Sequence, residues 1–201
     1  MNTHPAIDPS RLARKICEVS MRYNGLREIV PNAKFDNPKT PGIDPEAAEL
    51  ISMYKAIGWQ EGWSHCAAFV EVVVRKALFL EGATKEQIEK FGATMQLGVM
   101  NSVRAFEKLG LLSPVSMCNA GSIWLARHGN TGNGHTGISL APLRQGMLNT
   151  IEANTSKDAT LGDKDREGDW ITTKLFGANG RGSLATQGVV TVESICKLIN
   201  S

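Results

Sequence analysis

The chain changes its apolar period once, and that change limits the folds open to it. Up to Leu109, apolar side chains recur at spacings of three and four, as on helix faces; from Gly121 onward they alternate, as in strands. Helices first and strands afterwards predict an α+β protein with the helices packed on an antiparallel sheet.

The helical half divides at clear stops. Ser10 is a candidate N-cap for a helix over 10–23, with Leu12, Ile16 and Val19 on its apolar face. Residues 31–45 hold four prolines with Asn, Asp and Gly and read as a long irregular loop. Asp44 then caps a helix that opens on Pro45 and runs to Ile57. A tryptophan-rich loop, Gly58 to His65, leads into the strongest pattern in the chain: Cys66, Phe69, Val70, Val73, Ala77 and Leu80 on one face, Glu71, Arg75 and Lys76 on the other. Thr84 and Gln87 have capping-box spacing for a short helix, and another is expected over Asn101–Leu109. The expected strands are 123–127, 136–140, 148–153, 170–175 and 188–192.

A length of 201 residues suits one domain, taken as 1–201 with its core at about 12–155 and a tail, 156–201, that completes the sheet or docks a partner. The net charge of +2 and the absence of a dense Lys/Arg stripe argue against nucleic acid. The longest apolar run, Ala67 to Val74, is interrupted by Glu71 and is too short for membrane insertion. Met1 to Ser10 lacks the basic-then-apolar pattern of a signal peptide, so synthesis in the cytoplasm is expected, with any action at a cell wall needing separate delivery. The four cysteines, 17, 66, 118 and 196, form no CxxC pair and have no metal-ligand spacing with the four histidines. No cofactor and no metal are expected; Asp36, Asn37 and Asp44 lack a calcium-loop spacing. Cys17 and Cys196 fall in helical patterns as packing residues, and Cys118 reads as a bystander thiol in a loop.

Three features carry chemistry. Cys66 opens a helix, where free N–H groups and a partial positive charge favour a thiolate. His135 follows a glycine-rich turn, Gly129 to Gly134, at the mouth of a strand; His128 is the rival imidazole. Glu152 and Asn154 lie two apart in a strand, so either can accept a hydrogen bond from an imidazole beside them.

Taken in order, Trp63, Cys66-Ala67-Ala68-Phe69-Val70, Gly121-Ser122-Ile123, Gly134-His135-Thr136-Gly137-Ile138 and Glu152-Ala153-Asn154 resemble the cysteine, histidine-dependent amidohydrolase/peptidase (CHAP) family of NlpC-type, papain-like cysteine peptidases. Gly25-Leu26-Arg27-Glu28 resembles the Gly-x-x-Glu stretch that precedes the nucleophile in many members. The resemblance implies a papain-like fold with Cys66 as nucleophile, His135 as base and then acid, Glu152 orienting His135, and Asn154 as a polar fourth member. It departs where His65 stands in place of a tryptophan. Trp59, Trp63 and His65 are the expected substrate-side residues. The implied partner is bacterial peptidoglycan, cut at the muramoyl–alanine amide or at a peptide bond. Delivery would be as a phage endolysin, a virion-associated lysin or a secretion-system effector, with virion or secretion components as further partners. A protein deamidase or acyltransferase of the same fold, or a weakly active virion module, is the alternative.

Overall fold

The computed structural model describes residues 6–37, 39, 44–156 and 168–201. The first helix, α1 (Pro9–Met21), starts earlier than expected. Asp8, not Ser10, is the cap: its carboxylate accepts from the N–H groups of Ser10 at 2.8 Å and Arg11 at 3.4 Å. Two short strands follow, β1 (Arg27–Val30) and β2 (Lys34–Asp36), paired antiparallel. The expected loop over 31–45 is therefore partly strand. Its residues 38 and 40–43 lie outside the described residues.

Asp44 caps α2 (Pro45–Ala56) through the Ala47 N–H at 3.1 Å. Next comes α3 (Cys66–Leu80), which is buried on nearly every side rather than along one stripe. Even Glu71 is buried, and it is neutralised by Arg75 one turn on at 2.9 Å. A helix apolar all round belongs inside the molecule. Accordingly α1, α2 and α4 (Lys85–Thr94) flank α3 while it lies across the sheet. The Thr84–Gln87 capping box forms as expected at the start of α4. The last helix of this half is α5 (Val99–Lys108), followed by a 3-10 turn at Val115–Met117.

The second half supplies β3 (Ile123–His128), β4 (Gly134–Ser139), β5 (Met147–Thr155), β6 (Trp170–Gly177), β7 (Gly180–Arg181) and β8 (Leu184–Val190), then α6 (Val192–Asn200). The expected strand over 188–192 ends at Val190, because Thr191 caps α6 through the Ser194 N–H. Among the described residues the strands make one antiparallel sheet in the order β2-β1-β6-β5-β4-β3-β8-β7. The protein is thus α+β, and β6 from the tail lies inside the sheet between β1 and β5. Among the described residues no helix is long and apolar enough to cross a membrane.

Both faces of the sheet are buried. Ile123, Leu125, Ile138 and Ile151 join the helices in the main core. Trp124, Ala126, Leu148, Phe176, Leu184 and Val189 form a second core on the opposite face, where Cys118 is buried rather than lying free in a loop. Arg181, on edge strand β7, explains how this face is closed. Its guanidinium lies 4.9 Å from the Phe176 ring centroid on β6 and 5.9 Å from that of Trp124 on β3. The sheet curls on itself until its edge covers its own middle. Trp124 is fully buried there and donates its indole N–H to Thr186 at 2.9 Å. Trp124→Ala should therefore cost about 3–5 kcal/mol, seen as a lower urea midpoint at unchanged slope.

Candidate active site

Cys66 is the first residue of α3, and its cap, His65, makes no side-chain bond to the helix. The first-turn N–H groups of α3 are thus left for a ligand. Cys66 and His135 line the same cleft, and the two groups are electrostatically coupled. The Nε2 atom of His135 is 2.8 Å from Glu152 Oε2, so Nδ1 is the nitrogen left for the sulfur.

The strand register brings these groups together. His135 pairs with Ala126, and Gly137 pairs with both Trp124 and Glu152, so His135, Gly137 and Glu152 share the face of the second core. Glu152 reaches His135 by leaning across Gly137. A Cβ at Gly137 would come within 2.5 Å of the Glu152 Cγ, so any other residue there displaces the carboxylate. His135 is the second residue of β4 rather than a loop residue before it.

Glu152 is fully buried, yet four bonds saturate its carboxylate. Oε1 accepts from Thr150 at 2.5 Å and Arg181 at 2.9 Å; Oε2 accepts from Arg181 at 2.7 Å and faces His135. Arg181 also reaches the Thr155 hydroxyl at 3.1 Å. Burial alone would raise the pKa of Glu152, but its bond to His135 and the Arg181 charge outweigh that and hold it down at about 2. For His135, burial disfavours the charged ring, but its interactions with Cys66 and Glu152 prevail and raise its pKa to about 9.

Asn154 stands where the β5–β6 register slips, at φ 58°, and is buried. It does not bond His135. Among the described residues its Oδ1 has no protein partner, and the residue lines a cleft of about 260 Å³ with Cys66, His135, Ser64, Val99 and Asn133. His128 borders the same cleft, but its ring is tied to the Ser183 hydroxyl at 3.1 Å.

The three expected substrate-side residues are not in this wall. Trp59 is buried against Tyr54 and donates to the Trp63 carbonyl at 3.0 Å. Trp63 is 46% exposed but lies outside the cleft lining. His65 is completely buried, its Nε2 held 2.6 Å from Glu28. The loop turns Trp59 and His65, but not Trp63, into the interior beside the start of α3, so those two have no surface to offer a substrate. Sequence reasoning missed Arg181 entirely; it sits between Gly180 and Gly182, outside any apolar period. Among the described residues no group of three or more His, Cys, Asp or Glu side chains is arranged to hold a metal ion.

Set beside known proteins, the chain matches no protein-family model and no curated sequence.

Two outcomes follow from the charges. Arg181→Ala strands a buried carboxylate and should lower unfolding free energy by about 3–5 kcal/mol in urea titrations. The raised pKa of His135 stabilises the fold fully below its ordinary value of 6.5, and that contribution is lost as pH rises through about 9. The depressed pKa of Glu152 contributes above its ordinary 4.5 and is lost as pH falls toward about 2. The stability difference between wild type and His135→Gln should shrink across the alkaline window; a constant difference would contradict the assigned charge.

Proposed function

We propose that the protein is a papain-like cysteine amidohydrolase that cuts an amide bond of bacterial peptidoglycan. The observation that carries the chemistry is that Cys66 and His135 share the wall of one cleft and are electrostatically coupled, with the His135 ring held 2.8 Å from the Glu152 carboxylate. A nucleophile at a helix N-terminus, a base on the same cleft wall and an acid bonded to that base form the set that acyl transfer requires. The wall substrate is supported by the CHAP-like order of the motifs.

In this reading the Cys66 thiolate bonds to the amide carbonyl carbon. The carbonyl electrons move onto oxygen, where the Cys66 N–H at the end of α3 is the oxyanion donor. As the tetrahedral intermediate collapses, the C–N bond breaks and the His135 imidazolium gives its proton to the leaving nitrogen. The neutral imidazole then takes a proton from water, whose oxygen attacks the thioester. The acid is released and the sulfur regains its pairing with protonated His135. Glu152 never leaves its carboxylate form; it fixes the ring and balances its charge. Asn154 offers an amide within the same cleft.

Incubation of purified peptidoglycan with wild type should release soluble muropeptides whose masses identify the bond. Cys66→Ala, folded by circular dichroism, should release none. A folded wild-type protein inert on several wall chemotypes would overturn the wall substrate, and full activity in Cys66→Ala would overturn the nucleophile.

A further inference from the structure

A second acid–imidazole pair lies behind the nucleophile. His65, the residue before Cys66, is completely buried, with Nε2 2.6 Å from Glu28 Oε1 and Nδ1 3.3 Å from the Tyr54 hydroxyl. The other Glu28 oxygen accepts the Asn32 N–H at 2.6 Å. The Phe35 ring meets the imidazole edge-on at 4.8 Å. Glu28 belongs to β1 and Tyr54 to α2, so two elements outside α3 grip this one side chain.

The grip has a conformational counterpart. The cap residues of α1, α2, α4, α5 and α6 are all extended, with ψ between 109° and 162°. His65 alone among the caps stands at φ −115° and ψ 9°. That lies close to the sparsely populated bridge region, away from the ordinary cap conformation. The ψ angle of His65 sets the plane of the peptide between residues 65 and 66. In a trans peptide the C=O and N–H point in opposite directions. The His65 carbonyl is committed along α3 to the Phe69 N–H at 2.8 Å, so the Cys66 N–H points outward from the helix end. The extended caps commit their carbonyls in the same way, Asp8 to the Leu12 N–H at 2.9 Å for example, so ψ at His65 sets where its gripped side chain stands relative to that peptide, and the grip in turn fixes the peptide.

We propose that Glu28, Tyr54 and His65 are positioning residues that hold the His65–Cys66 peptide so that the Cys66 N–H faces the developing oxyanion. The imidazole is sealed from the cleft and touches no substrate; it acts through the backbone. This rests on Cys66 as acyl acceptor but on no particular natural substrate.

Two reactions of one thiol separate this role from others. With p-nitrophenyl acetate, sulfur bonds to the carbonyl carbon through an oxyanion, and the C–O bond breaks with its electron pair leaving on p-nitrophenolate. With iodoacetamide, sulfur displaces iodide from carbon and no oxyanion forms. His65→Ala in the full chain should slow the p-nitrophenolate burst by about 100-fold, the cost typical of a lost oxyanion donor. Iodoacetamide alkylation of Cys66, followed by peptide mass spectrometry, should keep its wild-type rate. His65→Gln, which keeps a donor toward Glu28, should recover part of the burst. Tyr54→Phe and Glu28→Gln should show the same split in milder form and decide the matter if His65→Ala does not fold. Parallel loss of both reactions would overturn the proposal in favour of thiol activation or packing, and unchanged rates in all variants would overturn it outright. A wild-type protein that gives no burst would overturn the nucleophile assignment as well, a result distinct from a wild-type burst that the variants retain.

Discussion

The charge on Glu152 is the constraint around which the second half of the chain is arranged. A carboxylate without solvent is tolerated only when every lone pair is met by a donor and a cation stands beside it. Thr150, Arg181 and His135 meet those conditions. Each donor imposes its own demand on the fold. Thr150 must lie two residues away on the same strand face. Arg181 must come from the far edge of the sheet, which requires the sheet to curl. Gly137 must lack a side chain, so that the carboxylate can cross β4. The curl in turn buries Trp124 and Phe176, so the second core and the ion pair rest on the same closure of the sheet. Arg181 thus serves the electrostatics of one acid and the packing of the sheet at once.

At the other end of the site a helix is used for its terminus. The apolar length of α3 places it inside the molecule, but its first residue emerges at the cleft. Buried helix ends need partners for their N–H groups. Every other α-helix except α5 has a side-chain cap that takes this role. In α3 the cap residue is turned backward to Glu28 and Tyr54, and the N–H groups remain unspent. The same choice that leaves the helix end uncapped makes it useful for holding an anion.

Local chemistry made much of this visible in the sequence. The Asp44 cap, the Thr84–Gln87 box and the apolar spacing after Cys66 are short-range signals, and the three helices they mark begin where those signals stand. Long-range features were not legible. Strand β1 buries Glu28 and exposes Ile29 and Val30, the reverse of an apolar alternation, because its buried residue answers to His65 across 37 positions. Arg181 answers to Glu152 across 29 positions, and only the curl of the sheet connects them. Trp59 and His65 looked like surface groups because a loop sequence does not reveal which way its rings turn. In each case the missing information is a tertiary partner, and no periodicity encodes one.

Asn154 combines two unfavourable features, and together they have a consequence. Its backbone is left-handed, which asparagine tolerates better than most residues. Among the described residues its buried Oδ1 lacks a protein donor, a state that costs about 1–3 kcal/mol in an otherwise satisfied interior. Either could be relieved by a small change at this position, since glycine would accept the backbone and has no acceptor to strand. The oxygen is sealed from solvent, so the fold itself carries that cost at the cleft wall that Asn154 shares with Cys66 and His135.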